Sequence, residues 1–191
     1  MGRDAGEHKL RNAMTQLGVN YRGSSIVYND EGAERRDPAT LGSGYNKESE
    51  TAAQPGDRAP EAPDLVDVRN PAGMLSLFGI FAPSVHSVLV FAGNDGSDTL
   101  HPLSGVIARQ PEGAVRPDCQ SRIGIGITRA AARANGLFEQ VVVDRDGHAH
   151  AGYNVSGEKV VVQSDGFIGA RVHSATGIER YFGRIFASGS K

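Results

Sequence analysis

The densest group of chemistry-bearing side chains in this sequence is "DRDGHAH", which gathers Asp144, Asp146, His148 and His150. Carboxylates and imidazoles so close together could ligate a metal ion. A calcium loop opening Asp-x-Asp-Gly needs a bidentate glutamate at its twelfth position. The twelfth residue from Asp144 is Val155. Two histidines at i and i+2 share a face on a strand, but no third zinc ligand is evident beside them. The segment reads instead as a polar turn that leaves a strand and caps the next helix, so no metal ligand is assigned. Cys119 is the only cysteine, which excludes an internal disulfide and a Cys-based zinc cage; it reads as a bystander thiol. "GIGITRAAARANG" holds Gly124 and Gly126 but lacks the third glycine and the acidic partner of a dinucleotide fingerprint. There is no phosphate loop and no Gly-x-Ser-x-Gly elbow. Ser, His and Asp are present without a spacing that joins them into a triad. His86 and His173 lie in or beside strands and read as structural. No catalytic and no cofactor-binding residue is assigned.

The scaffold that would have to position any chemistry is one core. A length of 191 residues, 39% hydrophobic and 22% charged, suits a single globular domain with a tail. The net charge of −2 offers no basic field for nucleic acid or an anionic membrane, and neither partner is expected. No run approaches the ~20 apolar residues of a membrane span. The opening "MGRDAGEHKLRNAMTQLG" lacks the apolar stretch of a secretion signal. A cytoplasmic location is expected.

Along the chain, Leu10, Ala13, Met14 and Leu17 fall at i, i+3, i+4 and i+7, predicting a helix from about His8 to Leu17 with one apolar stripe. Residues 24–63 are dense in Gly, Pro, Ser, Asp, Glu and Arg and read as a polar linker or long surface loop. "NPAGMLSLFG" predicts a short helix or turn carrying Met74, Leu75 and Leu77. "HSVLVFAG" is apolar on both alternating faces, as a central strand should be. "SDTLHPLSGVIARQ" is roughly helical in period, with Pro102 either near its start or kinking it. "SRIGIGIT" is a glycine-weakened strand candidate, "LFEQVVVDRDG" is a strand ending in a turn, and "HAHAGYNV" is a short helical or turn passage. "KVVVQSDGFIGARV" is a β-hairpin about an Asp165-Gly166 turn, which sets Ser164 opposite Phe167. That register puts Val160, Val162, Phe167 and Gly169 on one face and Val161, Ile168, Ala170 and Val172 on the other. Neither face is polar, so both should be covered. In the closing "ATGIERYFGRIF", Ile178, Tyr181, Phe182, Ile185 and Phe186 form a helical stripe, with Thr176 and Glu179 as a capping box.

Strand, helix, strand, short helix, antiparallel hairpin and terminal helix, in that order, make an α/β domain of thioredoxin-like plan. It has a central mixed sheet with a C-terminal hairpin and terminal helix, and it follows an N-terminal helix and a long linker. The expected divisions are 1–23 helical segment, 24–63 linker, 64–187 thioredoxin-like domain and 188–191 tail. A redox enzyme of this plan carries a nucleophilic cysteine just after the first central strand, at a helix N-terminus that lowers its pKa. Here the junction reads "FAGNDGSD", with Asn94, Asp95 and Ser97 in a vacant site loop. The loop entering the hairpin, "NVSGEKVVV", has no proline.

"QLGVNYRGSSIV", "PGDRAPEAPDL", "VVVDRDGHAHAGYNV", "VVVQSDGFIGAR" and "YFGRIF", in this order, resemble the C-terminal portion of FAD-dependent aromatic hydroxylases. That family includes phenol hydroxylase, 3-(3-hydroxyphenyl)propionate hydroxylase and the anthracycline hydroxylases. The resemblance runs from about Gln16 to Phe186. It implies a thioredoxin-like domain without redox cysteines, acting as an accessory or dimer-stabilising module. The family's FAD fingerprint, its second flavin and NAD(P)H motif and its substrate sheet lie upstream of this portion and do not occur here. FAD and NAD(P)H are therefore expected only in a parent or partner flavin domain. The chain itself is expected to be a fragment, a split subunit or a free-standing relative. The resemblance also implies that the segment before "NYRGS" packs on a flavin domain, which makes Leu10, Ala13, Met14 and Leu17 the candidate partner interface. A homodimer or a flavin-domain partner is expected there, with folding back on the core as the alternative. A stand-alone thioredoxin- or peroxiredoxin-like redox protein is a competing reading, since "GDRAPEAPDL" echoes peroxiredoxins. A small-molecule binding module built on the Asn94–Ser97 loop is a third.

Overall fold

The computed structural model describes residues 19–30, 53–83, 85–91, 100–110, 125–128, 140–155 and 157–186. Among them lie eight strands and four helices. The strands are β1 (Tyr28–Asn29), β2 (Leu65–Asp67), β3 (Met74–Leu75), β4 (Ser87–Phe91), β5 (Ile125–Thr128), β6 (Gln140–Val143), β7 (Lys159–Val162) and β8 (Ile168–Val172). The helices are α1 (Leu77–Ile80), α2 (Leu100–Ala108), α3 (His148–Tyr153) and α4 (Ala175–Phe186). The strands form one mixed sheet in the order β1-β8-β7-β4-β5-β6-β2-β3. β4, β5 and β6 run parallel, while β7 and β8 form the antiparallel hairpin beside β4. This is the α/β, thioredoxin-like arrangement that the element order predicts.

"SVLVF" and "KVVV" are buried at every position, so the centre of the sheet is covered on both faces. One face packs Leu89, Phe91, Val160, Val162 and Ile168 against Leu77 and Ile80 of α1 and Ala149 and Tyr153 of α3. The other packs Val88, Val90, Val161, Ala170 and Val172 against Leu103, Val106 and Ile107 of α2 and Ile178, Tyr181 and Phe182 of α4. At about 25 cal/mol per Å² of apolar surface removed from water, two such layers supply the main driving force for folding.

The hairpin register differs from the expected one. Gln163 N–H donates to Phe167 O at 2.8 Å and Gly166 N–H to Gln163 O at 2.9 Å, so Gln163, not Ser164, faces Phe167. The loop holds three residues and ends on Gly166 at φ +81°, a left-handed conformation that costs glycine little. A second irregularity follows, because Val162 pairs Ile168 while Val161 pairs Ala170, leaving Gly169 as the extra residue. Ile168 therefore joins the face of Val160 and Val162, whereas Ala170 and Val172 join that of Val161. Gly169 lies beneath the Tyr181 ring. A methyl there would overlap the hydroxyl and stand 2.7 Å from Tyr181 Cζ and 2.9 Å from Gln163 Cγ.

Other differences are local. The segment expected as linker over 24–63 is, at both described ends, part of the sheet's margin. β1 pairs in parallel with β8, Tyr28 opposite Ala170 and Asn29 opposite Arg171. Ile168 N–H donates to Asp57 O at 2.8 Å, Gly56 N–H to Ile168 O at 2.7 Å and Ala59 N–H to Gly166 O at 2.9 Å. These strips satisfy the outer edge of β8, which would otherwise present unpaired backbone groups. Arg22 clamps the two strips, with Nε and Nη2 each 2.6 Å from a carboxylate oxygen of buried Asp57. Met74 and Leu75 form a short strand against β2 rather than a helical turn. α4 starts at Ala175 and its first turn is capped by Ser174, whose Oγ accepts the Gly177 N–H at 3.2 Å, in place of the Thr176 box. The helix expected over His8–Leu17 and Cys119 lie outside the described residues.

Candidate functional site

In open α/β sheets, sites form outside the carboxyl ends of the parallel strands. Here that margin follows Phe91 of β4 and Val143 of β6 and meets the start of β7. Asn94, Asp95 and Ser97, which follow β4 in the sequence, lie outside the described residues, as do Leu10, Ala13, Met14 and Leu17. The described residues at the margin include two hydrogen-bonded polar groups.

The first is Asp144 with His150. Asp144 follows β6 directly and its side chain is only 2% exposed. Its Oδ2 accepts the His150 backbone N–H at 2.9 Å and meets His150 Nδ1 at 2.7 Å. Burial pushes the Asp144 carboxyl up, but the hydrogen bonds from the His150 ring and from the His150 and Ala149 backbones outweigh it and hold the group below its usual value. An ionised carboxylate can only accept, which places a proton on Nδ1. The ring is fixed edge-on against Phe91, centroids 5.3 Å apart. Asp144 thereby organises the start of α3, whose N-cap Gly147 has no side chain to do so. The expected reading of "DRDGHAH", a turn that caps the next helix, describes Asp144 and His150. A carboxylate-oriented imidazole is also the geometry of a general base.

The second group gathers Glu158, Lys159, Arg171 and His173. Arg171 donates to the carbonyls of Ala53, Tyr153 and Asn154 at 3.3, 3.1 and 2.8 Å and to Glu158 Oε1 at 3.1 Å. It ties the last turn of α3 to β8 and to the strip before Asp57. Lys159 is buried, with Nζ donating to His173 O at 2.8 Å. Burial pulls the Lys159 amine below its usual value, while Glu158 pushes it the other way. Tyr153 Oη is the one fully buried side-chain polar atom without a partner among the described residues, and burial raises its pKa, as does the charge of Glu61.

The fold adds a donor that sequence spacing does not reveal. Asp64, just before β2, comes to Asp146 and His148, with one ligand atom from each within 4.8 Å of the others. All three are exposed. Asp64 is distant along the chain, and only the antiparallel pairing of β2 with β6 brings it in. His86 is a packing residue, as expected, with its ring edge-on to Tyr181, Phe182 and Phe186.

No protein-family model matches the sequence, and no curated protein sequence matches it. Solved structures resemble the fold at low identity. The flavin-dependent monooxygenase PieE, solved with FAD and substrate, superposes with a TM-score of 0.57 at 17% identity, over 89% of this chain and 25% of that one. Aklavinone-11 hydroxylase, solved with FAD and aklavinone, gives 0.55 at 19% identity, over 91% of this chain and 27% of that one. The thioredoxin domain of a thiol-disulfide oxidoreductase from Bacteroides vulgatus gives 0.50 at 15% identity, over 70% of this chain and 99% of that one. The chain thus has a thioredoxin-like fold and spans about a quarter of the length of the two monooxygenases.

Proposed function

We propose that this chain is an accessory, non-catalytic thioredoxin-like domain of an FAD-dependent aromatic-ring monooxygenase and serves assembly and stability. The observation that carries the reading is its fit, over about nine-tenths of its own length, to part of two flavin monooxygenases. The sequence after β4, "AGNDGSD", supports it by placing no cysteine where a thiol enzyme of this plan needs one. Among the described residues, Asp144, His150 and Arg171 at the carboxyl margin are engaged in holding α3 and the hairpin. FAD and NAD(P)H would then belong to a parent or partner flavin domain. The Leu10, Ala13, Met14 and Leu17 stripe would dock on that domain or on a second copy, in the cytoplasm. No described helix is long and apolar enough to cross a membrane.

A second reading, a stand-alone redox protein, is favoured by the match to nearly the whole of a solved thioredoxin domain. Purification of the chain separates the two. The accessory reading expects a colourless protein that reduces neither peroxide nor disulfide, with Cys119→Ala changing nothing. Tightly held flavin overturns it, and thiol turnover lost in Cys119→Ala installs the redox reading. Light scattering on the chain and on Leu10→Asp/Met14→Asp tests the interface. A monomer in both, with Leu10 and Met14 protected from labelling, removes the partner.

A further inference from the structure

At the opposite end of β4, beside the hairpin turn, lies a hollow of about 280 Å³. We propose that it binds a small aromatic carboxylate. The size suits a one-ring molecule, close to the lower limit of ligand pockets. The apolar wall comes from Phe78, Phe81 and Val85. Phe78 and Phe81 hold their ring centroids 6.0 Å apart at 39°, and Phe78 is 42% exposed although it stands in a helix turn on the core. The exposed Phe78 ring beside half-buried Phe81 favours another ring in an offset or edge-on contact.

Among the described residues, the Ser87 and Arg58 side chains in the lining make no hydrogen bond. Ser87 is 5% exposed, and its hydroxyl makes no hydrogen bond among the described residues. That hydroxyl is not sealed in the core, since Tyr153 Oη alone is both fully buried and unpartnered there. It therefore opens on the hollow, where a ligand oxygen would satisfy it. The Arg58 guanidinium stands over the Phe167 ring, 5.9 Å from its centroid, with no ion pair or hydrogen bond among the described residues. A planar cation held over an aromatic ring, with its donors unspent, matches a carboxylate. Asp165 also borders the hollow, but its Oδ1 accepts the Phe167 N–H at 3.1 Å and is turned to the hairpin's own backbone. The ligand's anionic end accordingly sits on the Arg58 side and its ring against Phe78 and Phe81. This site is independent of any flavin domain or thiol chemistry.

Amide-resolved NMR titration of the full chain with benzoate, benzamide and benzylamine tests it. Benzoate is expected to give saturable shifts centred on Ser87 and Gly166, with the other two probes binding at least about tenfold more weakly. Arg58→Gln, an exposed change that leaves the fold intact, should reduce benzoate to the benzamide level and leave benzamide unaffected. Absence of saturable shifts up to the solubility of benzoate overturns the site. So does a preference for benzylamine, which would give the charge selection to Asp165, or undiminished benzoate binding in Arg58→Gln.

Discussion

The two ends of β4 handle polar groups in opposite ways. At its carboxyl end, Asp144, His150, Glu158, Lys159 and Arg171 are buried or half-buried and bonded to one another or to backbone carbonyls. At its amino end, the Ser87 hydroxyl and the Arg58 guanidinium border an open hollow and make no hydrogen bond among the described residues. A polar group that has lost its water must be repaid by a partner. The carboxyl end meets that demand internally, Tyr153 Oη excepted, and has become a structural joint, whereas the Ser87 hydroxyl and the exposed Arg58 guanidinium at the amino end stay open to an outside molecule.

Substitutions can break this contrast. The largest loss is expected for Arg171→Met, which strands three carbonyls and Glu158 and should cost about 3 kcal/mol in urea unfolding. A loss under about 1 kcal/mol would mean the joint is not bearing that demand. Gly169→Ala drives a methyl into Tyr181 and should cost about 2 kcal/mol by the same measurement. Asp144→Asn sharpens the point through pH. The folded carboxyl titrates below its unfolded value of about 3.9, so its stabilisation is complete above that value and is lost as pH falls through the folded pKa. The variant should therefore show a flatter acid limb in stability measured from pH ~7 downward. Tyr153→Phe removes the one unpaid hydroxyl of the carboxyl end and should be neutral or stabilising by up to about 1 kcal/mol. Ser87→Ala should leave thermal stability within about 0.5 kcal/mol, the smallest effect of the set, while weakening benzoate binding.

Much of this architecture was legible in the sequence. "SVLVF", "QVVV" and "KVVV" carry enough β-branched and apolar residues to mark buried strands, and the period of "ATGIERYFGRIF" marks α4. The hairpin was legible as a hairpin, but Asp165-Gly166 suits both a two-residue and a three-residue loop, and the longer loop moves Ile168 to the other face before the extra residue at Gly169 restores the register. Ser174 and Thr176 are equally good caps in composition, and only the backbone decides between them. The margin strips at Tyr28 and Asp57 were hidden because their pairing uses main-chain groups that every residue has. Asp64 and the hollow arise from contacts between segments far apart, for which no local spacing exists.

The clasp between Arg22 and Asp57 has a consequence for how the chain tolerates damage. It joins positions 35 residues apart, and both strips also zip onto β8. A protease nick anywhere between Asp30 and Ala53 would leave both products seated on the same sheet. Native mass spectrometry of the cut protein should find them travelling together, and Arg22→Ala should let the smaller piece escape.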